Sequence, residues 1–175
     1  MNQLKIAFLC AAFVFIFSGC KNESALPNTA AKLSMNGLKQ TSGWMWLGEI
    51  YNSYKTDSAL ILKIKAAFKP GVHRIYCFTN LTCSCAPNIK VFGNCLRTMT
   101  DAGISETNFE IYSMPDTSYS YPYSTKFKIN FIPAVFIMKD SIVVYSVIDS
   151  FMKVQDINLD SNLAIEPFLY QGLLK

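Results

Sequence analysis

The chain has 175 residues, enough for one domain of ordinary size once a targeting segment is set aside. An apolar fraction of 51% and an aromatic fraction of 14% exclude a disordered chain. The formal net charge of +4 comes from basic residues scattered without a run, so no nucleic-acid footprint is visible.

Residues 1–20 read MNQLKIAFLCAAFVFIFSGC. Lys5 supplies a basic start, Ile6 to Phe17 is an uninterrupted apolar run, and Ser18-Gly19 are small residues before Cys20; this is the layout of an export signal. The run is too short for a membrane span, which needs roughly 20 residues. FSGC resembles a bacterial lipobox, although Phe17 stands where Leu is commoner. The resemblance implies cleavage of residues 1–19, a lipid on Cys20, and a protein held at a membrane of the bacterial cell envelope. By the same analogy, Lys21 in place of Asp points to the outer membrane, facing the periplasm. A plain secretory signal or an anchoring helix is the competing reading. Residues 20–41, polar and rich in small side chains, read as a flexible tether.

Residues 42–71 read as an extension that precedes the main domain. Trp44, Leu47, Tyr51 and Tyr54 recur at three- and four-residue spacing, which suggests a short amphipathic helix, although two Trp and two Tyr would also serve a strand. SALILKIKAAF, capped by Asp57-Ser58 and closed by Lys69-Pro70-Gly71, favours a second helix, with the alternation in LILKIK leaving a strand as the alternative. Val72 to Thr79 is β-branched and aromatic and reads as a strand. Ile89, Phe92, Leu96 and Met99 then share one face of a helix over Ala86 to Ala102, ended by Gly103. Strands follow at Phe109 to Met114, Phe131 to Met138 and Ile142 to Ile148. Tyr123 to Asn130 is a short helical candidate before the last two strands. Lys139-Asp140-Ser141 joins those strands in a tight hairpin. A terminal helix lies within Asp160 to Leu174, with Pro167 suited to its first turn. A strand–helix–strand series implies a parallel, right-handed crossover. The expected sheet therefore has four strands, mixed in direction, with helices on both faces.

Six cysteines are present. With Cys10 in the signal and Cys20 under lipid, Cys77, Cys83, Cys85 and Cys95 remain, an even number compatible with disulfides in an exported protein. Cys83 and Cys85, in NLTCSCAPN, fall at the start of a helix, where unpaired N–H groups and the helix dipole stabilise thiolate. A bridge between them closes a small ring, and strained bridges are readily reduced. Cys95 is roughly 15 Å along the helix from Cys85, too far for a bridge. Cys77 and Cys95 are candidate neighbours in the core, as free thiols or as a bridge. The C-x₅-C and C-x₉-C spacings do not suit zinc, and no metal site is expected. His73, the chain's one histidine, starts its strand roughly 20 Å from Cys83 and reads as a surface residue, not a general base.

The element order, with YCFTNLTCSCAPN at the end of the first strand and INFIPAVFIM later, resembles the thioredoxin-like fold. The resemblance covers about Val72 to Leu174 and implies a domain over 72–175, a three-layer α/β sandwich. It places Cys83 at the nucleophilic position and Pro133, after a cis peptide from Ile132, at the loop where substrate backbone docks. This chain departs from the family pattern in having C-x-C, with Ala86 at the resolving position and Thr82 where the motif has Trp. Aligning Thr82 and Cys85 as T-x-x-C resembles peroxiredoxins instead, but the accompanying proline and arginine are missing. The implied activity is thiol–disulfide exchange on protein, peptide or small-thiol substrates, with Cys85 resolving the mixed disulfide. No cofactor beyond the thiols is implied, and the oligomeric state stays open. A binding module that has lost the redox motif is the alternative. The segment DTSYSYPYS should share the end of the sheet with Cys83. Its Tyr119 and Tyr121 either rim a ligand site or pack on the sheet.

Overall fold

The computed structural model describes residues 28–82, 88–158 and 163–175. Among these residues the order is β1 (Ala31–Leu33), α1 (Met35–Lys39), α2 (Trp44–Ser53), α3 (Ser58–Ala67), β2 (His73–Thr79), α4 (Ile89–Asp101), β3 (Phe109–Ser113), β4 (Ala134–Lys139), β5 (Ile142–Ser146), α5 (Val147–Asn158) and α6 (Glu166–Leu173). The result is a mixed α/β architecture with a five-stranded mixed sheet, ordered β1-β3-β2-β4-β5.

Local chemistry explains most of these elements. The Asp57 carboxylate accepts hydrogen bonds from the backbone N–H groups of Ala59 and Leu60, at 2.8 and 3.0 Å, and so starts α3. Helix α4 buries Ile89, Phe92, Cys95, Leu96 and Met99 on one face. Gly103 then takes a positive φ of 72°, which glycine adopts at little cost, and Ile104 N–H closes onto the Met99 carbonyl. Asp140 and Ser141 both have positive φ, the conformation that matches a two-residue hairpin to strand twist. Pro167 sits in the first turn of α6 as expected.

Strands β2 and β3 run parallel, joined by α4, and pair from Ile75 with Phe109 to Thr79 with Ser113. Strand β4 lies antiparallel to β2, and β5 antiparallel to β4. The fifth strand comes from residues read as tether. Ala31 to Leu33 pairs antiparallel with β3, and Lys32 Nζ reaches Glu110 Oε2 at 2.7 Å. The segment from Thr29 onward is therefore part of the sheet assembly, not a free linker. Three residues of modest β-propensity carry no strand signal alone; the open edge of β3 recruits them.

The two faces of the sheet are covered differently. Alternation sends Ile75, Cys77, Ile111, Val135 and Ile137 to one side, where side chains from all six helices meet them. The other side carries Tyr76, Phe78, Tyr112, Ala134, Phe136 and Met138. Among the described residues no helix contributes to this second core, which corrects the expectation of helices on both faces. Its cover is the connection between β3 and β4, which contributes Met114, Tyr119, Tyr121, Phe127, Ile129 and Ile132. Tyr123 to Asn130 is a series of turns and irregular chain instead of a helix. Aromatic stacking replaces helical packing there: Phe127 lies 4.4 Å from Phe136, ring to ring, and Phe78 lies 5.3 Å from Tyr112. The last expected strand also ends early, at Ser146, and Val147 to Asn158 forms α5.

Candidate functional site at the carboxyl end of the sheet

Because β2 and β3 are parallel, both finish at the same end of the sheet, and antiparallel β4 begins there. Phe78 pairs with Ala134, so Pro133 lies one register step further on, beside Thr79. The Ile132–Pro133 peptide is cis. Pro133 is buried, and Ile132, half-buried, packs against the aromatic core.

The chain leaving β2 is held in place by polar contacts. Met114 N–H donates to the Thr79 carbonyl at 3.0 Å. Asn80 Nδ2 donates to the Pro115 carbonyl at 2.8 Å, while Asn80 Oδ1 accepts from the Thr82 N–H at 2.8 Å and its hydroxyl at 2.6 Å. This Asx-type bracket ties the exit of β2 to the exit of β3. Leu81 is buried against Gly43, where a Cβ would stand 2.6 Å from the Leu81 carbonyl oxygen. Only a residue without a side chain permits that approach.

Cys83 and Cys85 follow immediately in the sequence and lie outside the described residues, as does Cys20. Helix α4 resumes after Asn88, whose side chain makes no capping bond to the first turn. The positive end of the helix dipole lies at Ile89, four residues after Cys85 in the sequence, where the sequence had put the helix start at Ala86. The Thr79 hydroxyl is fully buried with no hydrogen-bond partner among the described residues. Thr79 and Asn80 were not singled out in the sequence. The N-x-T spacing of Asn80 and Thr82 is the signal that would have found the bracket.

Other candidates fall into different roles. Cys77 and Cys95 are free thiols, both buried in the helix-side core. Burial pushes the Cys77 thiol well above its ordinary range and Cys95 up to about 12, the Glu166 carboxylate adding to the second. Both are protonated at neutral pH and poor nucleophiles. His73 is buried rather than on the surface: its Nδ1 accepts the Lys69 N–H at 3.0 Å and its ring lies against Phe68. It starts β2, at the far end from Thr79. The hydroxyl of Tyr121 donates to the Phe127 carbonyl and accepts the Ile129 N–H, at 3.2 and 3.1 Å, and its ring packs on Phe78. Tyr121 therefore holds the loop together, and Tyr119, half-buried, packs on the same core. Tyr123 is the more exposed, its ring 4.7 Å from that of Tyr76.

No three His, Cys, Asp or Glu side chains gather as a metal-binding group among the described residues. No helix there is long and apolar enough to cross a membrane. The chain matches no family model, and neither a curated protein nor a solved structure is significantly similar to it.

Proposed function

We propose that the chain is a thiol–disulfide exchange protein with a thioredoxin-like arrangement, held at a bacterial envelope membrane by a lipid on Cys20. The observation that carries this reading is the placement of Ile132–Pro133 beside Thr79, where the chain enters the cysteine segment. A parallel β2–α4–β3 unit, flanked by an antiparallel β4–β5 hairpin, supports it.

The chemistry follows from two neighbouring thiols that precede α4 in the sequence. The Cys83 thiolate attacks one sulfur of a substrate disulfide and expels the other as a thiolate, which takes a proton from water. Deprotonated Cys85 then attacks the Cys83 sulfur and releases the second substrate thiol. The substrate gains two electrons and two protons, and the Cys83–Cys85 pair ends as a disulfide. A donor dithiol reverses the pair by the same exchange. Ile132 and Pro133 present backbone to the partner chain, a role implied by the resemblance.

The test is exchange between the reduced protein and glutathione disulfide, with alkylation and mass spectrometry assigning each thiol. Cys83→Ser should slow exchange by at least about a hundredfold, and Cys85→Ser should accumulate a mixed disulfide on Cys83. Unchanged exchange in Cys83→Ser, or two cysteines that never react in the native protein, would sink this function.

A further inference from the structure

The backbone beside the candidate site has a second neighbour, the incoming amino-terminal chain. Ala31 pairs with Ser113, the last residue of β3, so the residues before Ala31 run past the carboxyl end of the sheet. There they are laced to the tyrosine-rich loop. Ser120 N–H donates to the Asn28 carbonyl at 2.7 Å, Ala30 N–H donates to the Ser120 carbonyl at 2.8 Å, and the hydroxyls of Thr29 and Ser120 meet at 3.1 Å. Asn80 on Pro115 links the start of that same loop to the exit of β2. The chain therefore enters the domain at the end where β2 and β3 finish and where Pro133 lies.

Distance makes this consequential. Seven residues lie between Cys20 and Asn28, and the eight Cα steps, even fully extended, span at most about 29 Å. A tether of residues 20–41 would have allowed the domain to roam and tumble; the lacing at Thr29 removes most of that length. We infer that the lipid on Cys20 holds the carboxyl end of the sheet towards the bilayer, so that the site acts on disulfides in the membrane-proximal parts of other membrane-anchored proteins. This rests on the lipid-anchor and exchange readings of the preceding subsection.

The test uses the full lipidated chain in vesicles carrying an energy-transfer acceptor in the outer leaflet. In a Cys83→Ser, Cys85→Ser background, a donor dye is placed on Ser118→Cys in the loop or on Lys69→Cys beyond the amino end of β2. The orientation predicts at least about twofold greater transfer from position 118 than from 69, and an insertion of about thirty Gly and Ser residues after Lys21 should erase the difference. Equal transfer with the native tether, or a protein that does not stay on the vesicles, overturns the inference. In the second arm the native cysteines are restored and a transmembrane peptide carries a disulfide about 10 Å or about 60 Å above the bilayer, distances on either side of the tether's reach. The near disulfide should react about tenfold faster. Equal rates with unequal transfer overturn the membrane-proximal substrate, and failure to reduce even soluble glutathione disulfide overturns the exchange reading while the measured orientation stands.

Discussion

At the scale of single residues, His73 offers a clean titration because it is the only histidine in the chain. Burial, followed by the nearby positive charges of Lys139 and Lys69, lowers its pKa, with Asp140 opposing them. In the folded protein its Nδ1 must stay unprotonated to accept the Lys69 N–H. Below the ordinary histidine pKa of 6.5 the unfolded chain takes up a proton that the folded chain refuses, so stability falls as pH drops from about 6.5 towards the folded value. Urea midpoints measured between pH 7.5 and 5 should decline for the native protein and flatten for His73→Gln. A slope unchanged by the substitution would assign the decline elsewhere.

Glu166 makes a second residue-scale case. It is buried, yet its carboxylate accepts the Tyr54 hydroxyl at 2.6 Å and the Asp57 N–H at 3.2 Å, joining the end of α2, the start of α3 and α6. Tyr54→Phe removes the stronger donor and should cost about 1–3 kcal/mol by denaturant unfolding. Glu166→Gln in the Tyr54→Phe background should recover part of that loss, because a neutral amide is cheaper to bury. This contact was invisible in the sequence, since its partners lie far apart in the chain and neither belongs to a motif. The cis peptide before Pro133, by contrast, was legible through the resemblance of INFIPAVFIM to a thioredoxin-like proline loop.

At the scale of elements, periodicity read α2, α3, α4 and α6 and the central strands, but missed α1, inside the expected tether, and α5, partly read as strand. Helices α2, α3 and α4 each carry a one-sided apolar stripe that packs on the same core. Where tertiary partners decide, the pattern failed. Residues 123–130, a helical candidate in the sequence, instead form turns and irregular chain whose Phe127 and Ile129 both join the aromatic layer with Phe78 and Phe136. Phe127→Ala should therefore cost about 3–5 kcal/mol, while near-ultraviolet circular dichroism loses its aromatic signal. If stability hardly changes, the loop is not the structural cover described above. Gly43 tests a different junction. Gly43→Val drives side-chain atoms into the Leu81 backbone, so exchange by Cys83 should slow by about tenfold, an effect larger than its shift in melting temperature.

At the scale of the whole molecule, three helices among the described residues precede the first parallel strand, and all share one core with α4 and α6. The extension over 42–71 is thus an integral wall of the domain. Helix α2 packs on α4, and α3 packs on α6. Removing residues 28–71 should not yield a smaller folded domain: the helix-side face of β2 and β3 would lose Leu38, Leu47 and Ile64 from its cover. The expected outcome is an aggregating fragment without sharp amide dispersion in NMR spectra. A well-dispersed spectrum of residues 72–175 would show that the extension is dispensable. The mixed sheet and its helix-covered face were legible in outline; the fifth strand and the loop cover of the other face were not, because they depend on an edge or a face being left uncovered by something else.

The two sequestered thiols give the molecule an internal clock. Cys77 on the central strand and Cys95 on α4 meet a water-borne alkylating agent only when the sheet and its helix part. Their labelling rate therefore counts openings of the central core, at a site separate from any chemistry at Cys83. In an oxidising compartment each such opening also exposes a chance of mispairing that closure does not automatically repair. For this chain, durability is governed by how seldom the core opens as much as by how firmly it is held shut.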